Sequence, residues 1–214
     1  MRMSKYLMGA MFVAATIAAQ PASAVVINSL PGGVAQVMPA ENYFGTGPKT
    51  FDDITWTAVN GSSVYGYTGG YGYNDNGSWS GTPMIGTNSP ADAMNLVFTL
   101  PVGGFLADIN WAVFTGSPYA DAYLRAYDSS NNLLDSIQFS SGASNLQAPG
   151  YWGFIEAPGS IARIELVGAY IGARNITISD LAGGVPEPAT WGLMILGFAG
   201  LGGALRRQKT RAVA

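Results

Sequence analysis

Residues 105–114 read FLADINWAVF, an alternation that puts Phe105, Ala107, Ile109, Trp111 and Val113 on one side and the residues between them on the other. Side chains divide in this way only on an extended strand, where neighbours face opposite sides of a sheet. The same period of two returns along the chain, cut each time by turn-forming Gly, Pro, Asn or Asp. Residues 94–100 (MNLVFTL) set Leu96, Phe98 and Leu100 together. Residues 122–128 (AYLRAYD) and 133–139 (LLDSIQF) flank the polar turn SSNN, which predicts a hairpin. Residues 161–168 (IARIELVG) and 174–181 (RNITISDL) close the series, with Ile164, Leu166, Ile176 and Ile178 as expected core residues. No helical period appears between residues 25 and 181. About eight to ten strands in some 155 residues predict an all-β domain, an antiparallel β-sandwich of jelly-roll type. That length suffices to bury a core without disulfides.

Composition removes several chemistries. The 214 residues include no cysteine and no histidine. Thiolate nucleophiles, disulfides, iron–sulfur ligands, the common zinc sites and Ser–His–Asp triads are therefore absent. Charge removes another class. Between residues 25 and 185, twelve acidic residues oppose four basic ones (Lys49, Arg125, Arg163 and Arg174), a net of −8. An acidic domain repels phosphate backbones, so nucleic acid is not an expected partner.

The other six basic residues stand at the two ends, beside apolar runs. MRMSKYLMGAMFVAATIAAQPASA has the layout of a secretory signal peptide: Arg2 and Lys5, then residues 6–19 without charge, then Ala22-Ser23-Ala24 as the small-residue cleavage pattern. Residues 1–24 are expected to leave as a signal helix after cleavage at Ala24, with Ala22 and Ala24 read by the peptidase. At the far end, residues 189–205 carry no charge and as a helix would extend roughly 25 Å, near the lower limit for a single membrane span. Trp191 marks its outer edge, and Arg206, Arg207, Lys209 and Arg211 mark the inner one.

Pro186-Glu187-Pro188, followed by Trp191-Gly192, the apolar run and the arginines Arg206 and Arg207, resembles the C-terminal sorting signal of the PEP-CTERM family. That resemblance implies a protein exported across the inner membrane of a Gram-negative, exopolysaccharide-producing bacterium. It also implies an integral-membrane exosortase as partner, which recognises the Pro-Glu-Pro element and removes the tail. Two prolines around Glu187 keep the backbone extended and remove two amide donors, so the segment stays available to an enzyme groove. The expected organisation is a signal peptide (1–24), a β-sandwich domain (25–183) and a sorting signal with a transmembrane helix and basic tail (184–214).

The middle also resembles, more loosely, modules of exported PEP-CTERM proteins. It has an early F-D-D strand at Phe51-Asp52-Asp53, a strand ending VFTLPV, the AYDSSNN hairpin and the aromatic-Gly strand YWGF (151–154). A late I-x-x-I-x-L strand (161–166) and Arg174-Asn175-Ile176-Thr177-Ile178 follow, the last with arginine in place of an acidic residue.

Three internal features bear on chemistry. Residues 64–81 (VYGYTGGYGYNDNGSWSG) hold Tyr65, Tyr67, Tyr71, Tyr73 and Trp79 among six glycines. Such rings are candidate carbohydrate contacts, since a sugar stacks on an aromatic face and bonds to its hydroxyl. The competing expectation is a glycine-rich surface loop whose tyrosines cover the sandwich. Asp52-Asp53 and Asn74-Asp75-Asn76-Gly77 carry oxygen atoms suited to a structural calcium, but neither follows the spaced EF-hand loop, and both suit plain turns. The expectation is no metal and no cofactor. Glycoside hydrolysis needs two facing carboxylates, for which Glu156 and Glu165 are the candidates. The chain is accordingly expected to be a non-enzymatic protein of the cell surface or extracellular matrix, held briefly in the membrane by its C-terminal helix. The alternatives are a carbohydrate-binding module that contacts exopolysaccharide and, below that, a surface hydrolase.

Overall fold

The computed structural model describes residues 25–113, 122–139 and 149–180. The expected signal helix, the apolar C-terminal helix and their residues, including Ala22, Ala24, Pro186, Glu187, Pro188, Trp191, Arg206 and Arg207, lie outside the described residues. Among the described residues there is no helix, and so none long and apolar enough to cross a membrane.

Sixteen strands are present among the described residues, more than the alternation suggests. In chain order they begin with β1 (Val25–Ile27), β2 (Val34–Ala35), β3 (Tyr43–Phe44), β4 (Lys49–Phe51) and β5 (Ile54–Ala58). Next come β6 (Val64–Tyr67), β7 (Tyr71–Gly72), β8 (Ser78–Trp79), β9 (Met84–Gly86) and β10 (Ala93–Val102). The last six are β11 (Gly104–Asn110), β12 (Ala122–Tyr127), β13 (Leu133–Phe139), β14 (Gly150–Ile155), β15 (Ile161–Val167) and β16 (Gly172–Ser179). Four of them are only two residues long, too short to show a period in sequence.

Every paired strand is antiparallel. One sheet runs β1-β14-β11-β16-β9-β6-β3, with β2 also on β16; another runs β13-β12-β15-β10-β5-β4; β7 and β8 form a small ribbon. The two large sheets share one core. Trp56, Leu96, Leu124 and Ile164 from the six-stranded sheet join Phe105, Ile109, Phe154 and Ile176 from the eight-stranded one. Each side chain of this size contributes about 1.5–3 kcal/mol when taken out of water.

The expected core residues Ile164, Leu166, Ile176 and Ile178 are all buried, as are the five alternating residues of FLADINWAVF. Leu100 is a correction. It is 75 % exposed, because the pairing of β10 with β15 shifts register between Val97 and Val102, while pairing with β5 ends at Phe98. A second correction concerns Phe51-Asp52-Asp53, which is not a strand throughout. Phe51 pairs with Ile54, leaving Asp52 and Asp53 as a two-residue hairpin loop in which Asp52 has a positive φ. The hairpin of β12 and β13 forms as expected. Asp128 organises its turn by accepting hydrogen bonds from Ser130 N (2.9 Å), Asn132 N (2.7 Å) and Asn132 Nδ2 (2.8 Å).

Two cross-sheet rows give the eight-stranded sheet its two ends. At one end Val25, Ile155, Gly104 and Ser179 lie side by side on β1, β14, β11 and β16. At the other end Asn110, Gly172, Gly86, Val64 and Phe44 line up across β11, β16, β9, β6 and β3. Six residue steps along β11, from Gly104 to Asn110, separate the rows, about 20 Å at strand rise.

Candidate functional site

The tyrosine- and glycine-rich segment sits at the second of these ends. Strand β6 alternates between two cores: Tyr65 enters the main one beside Phe51 and Trp56, while Val64 faces the opposite side of the sheet. There the β7–β8 ribbon folds back and seals the sheet with a satellite cluster of Val64, Tyr71, Tyr73, Trp79 and Met84. Glycines permit this approach. A β-carbon at Gly172 of β16 would strike the Tyr73 hydroxyl and the Met84 methyl. The segment is therefore not an open loop of displayed rings. Tyr65 and Tyr73 are fully buried and Tyr71 and Trp79 nearly so, leaving Tyr67 alone of the five partly open.

Hydrogen bonds fix the buried rings. Tyr65 donates to Thr50 O (3.1 Å), Tyr71 to Thr87 O and Tyr73 to the Met84 sulfur (3.6 Å). Burial raises the pKa of all three phenols, with Glu41 and Asp52 adding to the effect at Tyr65. They act as neutral rings and donors at any ordinary pH. The turn of Asn74-Asp75-Asn76-Gly77 closes the ribbon through Tyr73 N to Gly77 O (2.7 Å), and Asn76 Nδ2 pins it to Trp111 O (2.8 Å).

Beside the satellite cluster opens a cleft of about 310 Å3 lined by Phe44, Tyr67, Tyr71, Tyr170 and Asn88. Its backbone side is formed by Gly70 and Gly72, where an added β-carbon would meet nothing. Phe44 is 54 % exposed and meets Tyr67 edge-on at 5.5 Å; Tyr67 meets Tyr71 edge-on at 6.3 Å. Among the described residues the Tyr67 hydroxyl has no hydrogen-bond partner. Tyr170 has a positive φ of 48°, uncommon for a bulky residue, and its amide donates to Ser89 O (3.0 Å). Phe44, Asn88 and Tyr170 have no sequence signal as site residues. Phe44 lies in a two-residue strand, Asn88 in the irregular stretch after β9 and Tyr170 in the turn before β16.

No charge lines this cleft, and the domain's cations are engaged elsewhere. Lys49 pairs with Glu41 and lies over the Tyr43 ring. Arg125 and Arg163 share Glu165 at 3.3 and 3.6 Å and stack on Tyr123 and Tyr127. Arg174 pairs with Asp108 at 2.8 Å and stacks on Trp79. All four basic residues between 25 and 185 thus hold both a carboxylate and a ring.

The remaining candidates part company. Glu165, which also accepts from Tyr127 Oη (3.0 Å), is the centre of an ion-pair ladder on the six-stranded sheet. Glu156 follows β14 of the other sheet, buried, with Oε1 lacking a partner and its carboxyl pushed up by burial and by Asp135. They stand in different sheets and different networks. Asp52 accepts from Val37 N (2.7 Å), and Asp53 N donates to Gln36 Oε1 (3.3 Å), so these two residues tie down residues 36–37. Among the described residues no group of three or more acidic side chains gathers to hold a metal ion.

Residues 184–208 match the family model of the PEP-CTERM protein-sorting motif. The match spans Pro186-Glu187-Pro188, Trp191 and the arginines Arg206 and Arg207. No curated protein matches the chain.

Proposed function

We propose that the chain is an exported, non-enzymatic protein of the cell surface or extracellular matrix, delivered by residues 1–24 and sorted through residues 184–214. The match at residues 184–208 carries this reading. The apolar stretch holds the protein in the membrane until an exosortase acts at the Pro-Glu-Pro element. The domain between the two addresses is read as a jelly-roll-like β-sandwich, supported by two antiparallel sheets with a common core. Replacing Pro186, Glu187 and Pro188 together by alanine and fractionating the cells tests the sorting step. The replaced protein is expected to accumulate in the membrane fraction, whereas the natural one leaves it; identical fractionation of the two contradicts the reading.

A second reading, a carbohydrate-binding module that holds surface polysaccharide, is favoured by the aromatic cleft at Tyr67. It reassigns the contact. Tyr65 and Tyr73 are buried and do not line the cleft, so the rings that a sugar there would meet are those of its lining, Phe44, Tyr67, Tyr71 and Tyr170.

A further inference from the structure

We propose that the cleft between Phe44, Tyr67 and Tyr170 seats one or two units of a neutral glycan, with Asn88 and the Tyr67 hydroxyl as its polar contacts. This inference rests on the carbohydrate-binding reading and gives it a site and a ligand class.

The chemistry of the lining selects the ligand. A sugar ring offers an apolar C–H face and a rim of hydroxyls. It suits a wall of aromatic rings with a few neutral hydrogen-bonding groups. The exposed Phe44 ring supplies the face, and the Tyr67 hydroxyl and the exposed Asn88 amide supply the rim contacts. Open space over Gly70 and Gly72 lets a ring approach the backbone. At about 310 Å3 the cleft is at the lower end of the ligand-pocket range of roughly 300–1,000 Å3.

Charge narrows the class further. An acidic glycan or a phosphate needs a cation, and all four basic residues of the domain are held by a carboxylate and a ring, none of them lining the cleft. The net charge of −8 over residues 25–185 adds a general repulsion of anions. A neutral polymer suffers neither penalty.

The position of the cleft fits an extended ligand outside the cell. Ser179, the end of β16, lies five residues before the matched sorting segment and in one row with Val25. Phe44 and Val64 belong to the row at the opposite end of the same sheet, and Tyr170 and Asn88 lie just past it. The last strand of the described residues therefore ends at one end of the sheet while the cleft opens at the other.

The test uses the full chain in a detergent without a sugar headgroup, titrated by calorimetry with neutral hexasaccharides, with an oligogalacturonate of similar length and with the isolated surface polysaccharide of the producing cells. The natural protein is expected to bind a neutral oligosaccharide with an affinity unchanged between low and high salt. Phe44→Ala and Asn88→Ala, both at exposed positions and each checked for an unchanged fold by circular dichroism, are expected to weaken binding by about tenfold or more. Neutral binding that survives both substitutions overturns the cleft as the site while leaving the carbohydrate reading standing. Preference for the oligogalacturonate overturns the neutral class. Binding to none of the saccharides, the surface polysaccharide included, overturns the site and the reading together.

Discussion

The Tyr73 hydroxyl stands directly over Gly172, in the space that a β-carbon there would occupy. Tyr73 is fully buried, ringed by Tyr71 at 5.2 Å and Trp79 at 5.0 Å, and cannot swing away. Gly172→Ala should therefore push the satellite cluster off β16 and destabilise the protein by about 1–3 kcal/mol. Gly72→Ala, on the same segment but facing open space, should change stability by less than about 0.5 kcal/mol. Thermal melts of the two variants, followed by near-ultraviolet circular dichroism, check the pair. Equal melting temperatures would show that the close approach carries no energy.

A second prediction separates two ion pairs by burial. Asp108 and Arg174 expose 13 % and 22 % of their side chains, whereas Lys49 and Glu41 expose 27 % and 41 %. Asp108→Ala strands a half-buried guanidinium over Trp79 and is expected to cost about 1–3 kcal/mol. Glu41→Ala is expected to cost under about 1 kcal/mol, because water screens that pair. Urea titrations measure both, and a larger loss at Glu41 contradicts the ranking.

Glu156 gives a pH dependence of defined sign. Burial raises its folded-state pKa above the ordinary 4.5, so the folded protein binds this proton more tightly than the unfolded chain. Its contribution is thus most favourable below pH 4.5 and is lost as pH rises through the raised folded value. Glu156→Gln keeps the shape without the charge and should stabilise the protein at pH 7, with the advantage fading below pH 4.5. Stability curves at several pH values decide it; a glutamine variant weaker than the natural protein at pH 7 runs against the account.

The sequence displays the long strands plainly and the short ones hardly at all. A seven-residue run such as β11 or β15 shows its buried face through its period, so Ile109, Ile164 and Leu166 are legible as core. Strands of two residues, such as β3 and β7, have no period, and their pairing depends on partners brought in by the rest of the fold. Leu100 fails for a related reason, because period alone does not reveal a register shift. The aromatic segment reads as ambiguous between display and burial, and the deciding residue, Gly172, lies about a hundred positions away from Tyr73. Phe44, Asn88 and Tyr170 meet at the cleft only through the lateral order β3-β6-β9-β16. The sorting segment is the reverse case: its recognition needs no partner elsewhere in the chain, so local sequence suffices.

If residues 184–214 are a temporary tether and recognition tag, the C-terminus of the surface protein records their removal. Intact-mass and peptide mass spectrometry should be run on the protein from cells with and without a functional exosortase. The surface form from competent cells is expected to lack Arg206, Arg207 and everything after them, with Ala214 kept only when the exosortase is missing. A surface protein that still ends at Ala214 in competent cells would contradict the temporary tether and leave a permanent membrane anchor in its place.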